Sequence, residues 1–140
     1  MPVHFYFKEK VRLENRRALK SFIDSLFQKE SRSLESLTYI FCSDDFLLNM
    51  NKEYLAHDYY TDIISFDLSE SRTGPVTGEI YISIDRVKDN AERLKVSFQQ
   101  ELHRVIFHGA LHLCGYKDKT KPQQKEMRTM EDQYLKAYGL

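Results

Sequence analysis

The hydrophobic and polar positions of the first half of the chain follow two different periods in turn. Val3–Phe7 alternates as a strand does, and the apolar residues within Leu19–Phe27 recur at the three- and four-residue spacing of an amphipathic helix. Alternation returns at 36–41 and predicts a second strand. The polar residues 43–45 are N-cap candidates for a short helix that ends near Ala56.

The second half of the chain begins with a pattern typical of a hairpin. Residues 61–68 are rich in β-branched and aromatic side chains, 69–75 form a polar break, and 76–84 resume a strand pattern. We expect these two strands to pair. Asp85 is then the expected N-cap of a helix that runs to about Leu94.

Two longer helices complete the predicted elements. Ser97 and Gln100 have the spacing of a capping box, which opens a helix through His112. The segment 120–123 opens the last helix, with a proline in its first turn and Gly139 at its end. The inward positions of this last helix are Met127, Met130, Tyr134 and Leu135. Together the patterns predict an α+β fold in which a four-stranded sheet packs with helices in one domain, residues 1–140.

Composition narrows the class of protein. A chain of 140 residues with 41% hydrophobic content suits one core. Lysine plus arginine equal aspartate plus glutamate at 21 each, so any polyanion contact must be local. We expect a cytoplasmic protein without a membrane span, because the sequence shows neither a leader nor an apolar stretch of about 18 residues. Cys42 and Cys114 are not expected to form a disulfide.

The strongest chemical signal is a group of metal-ligand residues around one helix end. His108 and His112 lie one helical turn apart, so both imidazoles can reach one ion. Gly115 can end the helix and turn the chain back, which brings Asp118 beside the pair. Three protein ligands with room for water are typical of a catalytic zinc site rather than a structural one.

The residue after the first histidine argues against one kind of zinc enzyme. A histidine pair with glycine and a third ligand resembles the metzincin protease signature, in which glutamate directly follows the first histidine and acts as general base. Here that position is Gly109, which has no group for this role. Peptide hydrolysis by that mechanism is therefore disfavoured.

A basic segment follows the histidine pair and gives candidate contacts for a polyanion. Lys117, Lys119 and Lys121 lie beside Asp118, and Arg104 lies on the same face of the helix as the histidines. Taken alone, a short run of charges is more often a solvated surface. These four basic residues are our candidates for contacts with a polyanion.

The motifs resemble those of the YbeY family of bacterial rRNA maturation factors. The family signature His-Gly-x-Leu-His-Leu-x-Gly-Tyr-Asp-His matches His108–Tyr116, which supplies nine of its eleven positions. Thr61–Phe66 and Gly78–Ser83 resemble two further family strands, and Leu48–Asn49 agrees upstream. The resemblance covers most of the chain. It implies a zincin-like α+β domain with a mixed sheet, a zinc ion and single-strand-specific endoribonuclease activity.

The resemblance also implies partners and a biological role. The family works in 16S rRNA 3′-end maturation and ribosome quality control, so the expected partners are single-stranded rRNA and the small ribosomal subunit. A ribosomal protein or a GTPase is a further expected partner.

The sequence departs from the family pattern at the third ligand and at one arginine. The last two signature positions, aspartate and histidine in the family, are Lys117 and Asp118 here. The implied ligand set is therefore His108, His112 and Asp118, which suits Zn²⁺ and widens tolerance towards other divalent metals such as manganese or iron. The family arginine six residues before the strand threonine is Leu55. Its loss leaves Arg104 or the basic segment to contact phosphate.

Three functions stay open at the level of sequence. The first is a metal-dependent endoribonuclease, in which either metal-activated water or the substrate 2′-hydroxyl is the nucleophile. The second is a non-catalytic ribosome-assembly factor whose metal is structural. The third is a metal hydrolase of a small molecule or peptide, with Glu79 or Glu101 as base. For Glu101 the alternative is a surface or capping carboxylate. For Thr61, Asp62 and Ser65 we favour a structural role in the strand over direct catalysis.

Overall fold

A four-stranded sheet with helices packed on it forms the framework that carries the histidine motif. The computed structural model of the protein describes residues 2–140. Its elements are, in order, β1 (Val3–Phe7), α1 (Arg16–Lys29), β2 (Leu34–Cys42), α2 (Asp44–Leu55), β3 (Ile63–Asp67), β4 (Val76–Ser83), α3 (Ile84–Leu94), α4 (Phe98–Leu113) and α5 (Lys121–Tyr138).

The strands pair in the order β1-β2-β4-β3, which makes the sheet mixed. β1 and β4 both run parallel to β2, whereas β3 and β4 pair antiparallel with Ile63 opposite Ile82. The predicted α+β fold with a mixed sheet is confirmed, and so is the hairpin of β3 and β4. The parallel pairing of β2 with β4 requires a long connection, which contains α2 and β3.

The hydrophobic core lies between the sheet and the helices α1 and α4, and it extends to α3 and α5, which pack on α4. Its largest fully buried side chains include Tyr39, Phe27, Phe41 and Phe107. The Tyr39 hydroxyl donates a hydrogen bond of 2.9 Å to the Ile106 carbonyl, so the one polar atom of that buried ring is satisfied. This packing fixes α4 against the sheet.

Gly109 allows α4 to approach the sheet closely. A Cβ atom at this position would stand 2.8 Å from Cδ1 of Ile80 and 3.0 Å from Cδ1 of Ile63. The residue after the first histidine of the motif therefore faces the sheet, and a side chain as long as glutamate has no room there. The fold therefore has no place for the protease base at this position.

Several helices begin at the capping residues that the sequence predicted, and one predicted cap is wrong. Ser43 caps α2 and Ser97 caps α4, and Thr120 forms a capping box with Gln123 at the start of α5. The predicted N-cap Asp85 is wrong, because Ser83 at the end of β4 accepts the hydrogen bond from the Arg86 amide.

The carboxylate of Asp85 instead binds the first backbone amide of the neighbouring helix α2. Its Oδ2 accepts a hydrogen bond of 2.9 Å from the backbone amide of Asp44, which opens α2. Sequence spacing alone could not distinguish these roles, because the contact joins two helices that are distant along the chain.

Two further expectations concern the whole chain. In the described range 2–140, no helix combines the length and apolar character needed to cross a membrane. Cys42 is buried, Cys114 is half-buried, and both thiols are free. Burial raises the pKa of each thiol to about 12, and for Cys114 the nearby Glu30 carboxylate adds to this effect.

Candidate metal centre

The end of α4 and the turn after it bring the histidine motif together. The helix ends at Leu113, and Gly115 follows with φ of 109°, a left-handed conformation that glycine adopts without steric strain. The Tyr116 amide then donates a hydrogen bond to the Leu111 carbonyl and closes the turn. The chain therefore reverses over the histidine face, as the sequence predicted.

The side chains of His108, His112 and Asp118 converge on one point. Oδ2 of Asp118 lies 3.3 Å from Nε2 of His108 and 3.4 Å from Nε2 of His112. One ligand atom from each of the three residues lies within 4.8 Å of the other two. All three side chains keep some solvent exposure, so the point where they meet is open on one side.

Glu131 on α5 fixes the orientation of the first imidazole. Its Oε2 lies 2.6 Å from Nδ1 of His108, on the side of the ring away from Asp118. An ionised carboxylate can only accept, so Nδ1 donates its hydrogen to Glu131 and Nε2 is the ring nitrogen that faces Asp118 and is left to bind a metal. A hydrogen bond from the second ring nitrogen to a carboxylate is the usual arrangement for a histidine that binds metal.

A partly buried arginine connects the carboxylates behind the histidines. Arg104 donates two hydrogen bonds to Glu101, of 2.8 and 2.6 Å, and a third of 3.0 Å to Glu131. Its Nη2 also lies 4.0 Å from Oδ2 of Asp62. The guanidinium is thus held by protein carboxylates, and Glu101, which is 1% exposed, is a buried partner of Arg104 rather than a surface carboxylate.

The pKa values of Glu131, Asp62 and Arg104 depend on two opposing effects, burial of the charged form and pairing with opposite charges. Burial alone raises the pKa of Glu131, but the hydrogen bond from His108 and the charge of Arg104 outweigh it and the pKa is lowered. For Asp62, burial dominates and the pKa is raised, although Arg104 and His108 act in the opposite direction. Burial opposes the charged form of Arg104, but its hydrogen bonds to Glu101 and the charge of Glu131 outweigh burial and raise the pKa. This guanidinium stays charged.

A second, partly buried contact holds the turn that carries Asp118. The Tyr116 hydroxyl donates to Oε1 of Glu30 at 2.8 Å, and the Tyr134 hydroxyl donates to Oε2 at 2.5 Å. The two bonds tie the turn to α1 and to α5. Asp118 therefore approaches the histidines from a segment with fixed ends.

The histidines and Asp118 open into a cleft of about 730 Å³ between α4, the strand β3 and the segment after α2. This volume is in the range typical of ligand sites. Its lining includes Leu55, Tyr59, Asp62, Ser65, Arg104 and Lys119. The strand residues singled out in the sequence therefore border the site, and Asp62 also accepts a hydrogen bond of 3.1 Å from Asn90.

The four basic candidates occupy different environments. Lys119 is exposed and lines the cleft, whereas Lys117 lines a shallower depression beside Tyr116. Lys121 is exposed at the first position of α5. Arg104 also lines the cleft, but it donates hydrogen bonds to Glu101 and Glu131. Its guanidinium therefore holds these two carboxylates in place behind the histidines.

Sequence reasoning missed Glu131. Helical spacing could have identified this residue as inward-facing. Glu131 lies four residues after Met127 and three before Tyr134, within the inward face predicted for the last helix. A carboxylate in an apolar stripe needs a buried partner. The partner itself comes from another helix and is not readable from spacing.

The other histidines lie away from the point of convergence or at its rim. His4 is exposed on β1, and His103 is buried with Nδ1 2.6 Å from the Gln99 carbonyl. His57 is exposed and borders the cleft, where it contacts Tyr59.

The fold and the site together define an α+β domain with a candidate His-His-Asp metal centre in an open cleft. A family model described as Endoribonuclease YbeY matches residues 6–139. This chain belongs to the YbeY family, as the motifs indicated.

Individual relatives agree with this assignment over nearly the whole chain. A Cytophaga hutchinsonii protein named Endoribonuclease YbeY is 50% identical over 133 residues, covering 94% of this chain and 92% of that protein. A Flavobacterium psychrophilum protein of the same name is 47% identical and covers 84% of this chain and 83% of its own. A Thermotoga maritima protein with a solution structure is 28% identical with a TM-score of 0.68, covering 95% of this chain and 86% of that one.

Proposed function

We propose that this protein is a metal-dependent endoribonuclease whose metal is held by His108, His112 and Asp118. The observation that carries the proposal is the convergence of these three ligand atoms within 4.8 Å in a cleft that is open to solvent. The names of its relatives support RNA as the substrate.

The residues present fit a divalent cation. Two imidazole nitrogens and one carboxylate oxygen are a donor set that zinc accepts, and Glu131 leaves the lone pair of His108 Nε2 directed towards Asp118. When bound, the ion supplies Lewis acidity towards a phosphodiester oxygen and towards water. We propose Zn²⁺, with other divalent metals tolerated because a carboxylate replaces the third imidazole.

The carboxylates behind the ligands favour a cation electrostatically. Three of them lie around the guanidinium of Arg104, namely Glu101, Glu131 and Asp62, and Asp118 adds a fourth at the surface of the site. The basic partners of this group are Arg104 and Arg128, whose Nη1 lies 3.8 Å from Glu131. Acidic groups therefore outnumber these two bases, and a divalent ion compensates the excess. Arg104 in this arrangement is a positioning residue for Glu131, and hence for His108.

The substrate we propose is single-stranded rRNA of the small ribosomal subunit, reached in the cytoplasm. Lys117, Lys119 and Lys121 are exposed on and just after the segment that carries Asp118, so they present positive charge beside the proposed ion. Phosphate contacts of this kind position RNA without reading its sequence. A ribosomal protein or GTPase partner belongs to the same proposal and would deliver the substrate.

One observation favours a second candidate function. Leu55, which stands where the family arginine is expected, lines the cleft with a 40% exposed apolar side chain. If that arginine is needed to stabilise developing charge, the protein acts as a ribosome-assembly factor with a structural metal. In that case RNA binding persists and cleavage is absent.

Cleavage of a labelled single-stranded rRNA fragment by protein loaded with Zn²⁺ tests the proposal. We expect products from the wild type, none from His112→Ala, and none from a fully paired duplex. Product ends identify the nucleophile: 5′-phosphate with 3′-hydroxyl indicates attack by water, and 2′,3′-cyclic phosphate indicates attack by the substrate. Binding without cleavage in the wild type would contradict the nuclease and support the assembly factor.

A further inference from the structure

We propose that the stacked pair of His57 and Tyr59 forms a platform for one unpaired base of the RNA substrate. The inference rests on the proposed function and names a subsite within it. It places the phosphate at the metal ligands and a neighbouring base on the Tyr59 ring.

The two rings form a defined aromatic surface inside the cleft. Their centroids lie 5.0 Å apart with an interplanar angle of 21°, and the Tyr59 hydroxyl lies 2.9 Å from Nδ1 of His57. Both residues line the cleft that contains His108 and His112. Tyr59 is nevertheless 55% exposed, so its ring is accessible to a ligand. Aromatic rings of this kind are the usual stacking partners of single-stranded bases.

A buried asparagine holds the pair in place. Asn51 is 1% exposed, and its Nδ2 donates a hydrogen bond of 2.9 Å to the Tyr59 carbonyl. Its backbone carbonyl accepts a hydrogen bond of 3.0 Å from the His57 amide. Both residues of the pair are therefore fixed to α2 by one side chain and one backbone group. A surface held before binding loses little conformational entropy when the ligand arrives.

The surroundings of the pair favour a base over a phosphate. Leu55 on the same segment adds an exposed apolar side chain to the cleft, at the position where the family arginine is expected. The Tyr59 ring and the Leu55 side chain offer little to an anion, but they match the flat apolar face of a nucleobase. The exposed lysine of the cleft, Lys119, is available to the backbone phosphate instead.

Other exposed tyrosines have different surroundings. Tyr60 packs its ring under the guanidinium of Arg86, 5.1 Å from the centroid, and lines a separate cavity. Tyr54 packs edge-on against Phe66. Tyr6 is 50% exposed on β1, at the opposite edge of the sheet from β3. Tyr6 is therefore a matched control for the loss of an exposed tyrosine ring.

The platform also predicts selectivity for single strands. A base can stack on Tyr59 only if it has left its own helical stack, and this is easiest in an unpaired segment. A duplex therefore lacks access to the subsite while its phosphates still reach the basic segment. The pair would contribute to substrate choice more than to general RNA affinity.

A scan with abasic RNAs tests the platform. A set of single-stranded oligonucleotides, each lacking one base, is cleaved by the wild type, Tyr59→Ala, Tyr59→Phe and Tyr6→Ala. We expect one abasic position near the cleaved bond to lower kcat/KM about tenfold in the wild type, a typical magnitude for one base stack. That effect is expected to disappear in Tyr59→Ala and to persist in Tyr59→Phe and Tyr6→Ala.

The outcomes separate the subsite from the proposed function. If the wild type cleaves but Tyr59→Ala keeps the abasic-sensitive position, the platform is contradicted and the nuclease stands. If the wild type cleaves none of the oligonucleotides, both proposals fail. Zinc content and melting temperature of each variant confirm that it is folded and loaded, and Tyr59→Leu, which keeps an apolar side chain without a ring, is expected to behave as Tyr59→Ala does.

Discussion

Glu131 lies with its Oε2 2.6 Å from Nδ1 of His108, across the interface between the last two helices. The same carboxylate receives a hydrogen bond of 3.0 Å from Arg104, so α5 is connected to the metal centre through one buried acid. The last helix therefore has a role in the site although it provides none of the three proposed ligands. Its removal or displacement would affect metal binding from a distance.

The first prediction concerns this contact. Glu131→Gln keeps the shape of the side chain but removes the charge that orients His108, so we expect zinc affinity to fall about 10- to 100-fold. Competition with a chromophoric chelator measures the change. Asp132→Asn, an exposed acid on the same helix, is the matched control and is expected to retain wild-type affinity. Equal affinity of Glu131→Gln and wild type would show that the contact does not tune the metal.

The second prediction concerns the close approach of α4 to the sheet. Gly109→Ala places a Cβ 2.8 Å from Cδ1 of Ile80, and we expect the free energy of unfolding to fall by about 1–3 kcal/mol through overpacking. Denaturant unfolding of the metal-free protein measures it. Ile80→Val removes the crowded methyl, so the double variant should recover part of the stability. A Gly109→Ala protein more stable than the wild type would mean that the helix preference of alanine outweighs the overlap.

The third prediction concerns pH. Burial lowers the pKa of His103 below its ordinary 6.5, although the hydrogen bond with Gln99 acts in the opposite direction. As the pH falls below about 6.5, the unfolded chain binds a proton that the folded chain resists, so stability declines. Unfolding of metal-free protein between pH 7.5 and 5, conditions that span that value, should show a smaller decline in His103→Gln than in the wild type. His4→Gln, which changes an exposed histidine, should match the wild type, and an unaltered pH profile in His103→Gln would contradict this account.

The sequence predicted the order of elements and the three proposed ligands because each depends on local pattern. Helical spacing places His108 and His112 on one face, and the glycine turn requires only that the chain reverse. The cap of α3 and the burial of Glu101 were not predictable in the same way. The sequence indicated Asp85 as the cap of α3, but Ser83 caps this helix and the Asp85 carboxylate contacts α2.

The network behind the site lies beyond the reach of sequence spacing for the same reason. Glu131 and Asp62 reach Arg104 from α5 and from the segment before β3, and they are 27 and 42 residues away from it along the chain. Helical spacing correctly placed Arg104 on the histidine face of α4, but it did not identify the carboxylates that pair with it. Long-range side-chain contacts depend on how the elements pack, which periodicity does not encode.

The fourth prediction concerns the basic segment. Charge reversal of Lys117, Lys119 and Lys121 to glutamate removes the proposed phosphate contacts, so RNA affinity should fall and its salt dependence should flatten. For a single strand the slope of log K against log salt changes by about 0.7 for each phosphate that the protein no longer neutralises. Fluorescence anisotropy across a salt series measures both. Reversal of Lys10, exposed near β1, is the control, and an unchanged slope in the triple variant would mean that RNA binds elsewhere.

The most direct test of the metal centre is elemental analysis of protein purified without added metal, for the wild type, His112→Ala and Asp118→Asn. We expect about one zinc or other divalent ion per chain in the wild type, as in a three-ligand site. We expect no bound ion in His112→Ala and a much lower metal content in Asp118→Asn. Equal metal content in all three proteins, or a wild type that binds no metal on titration, would contradict the proposed centre.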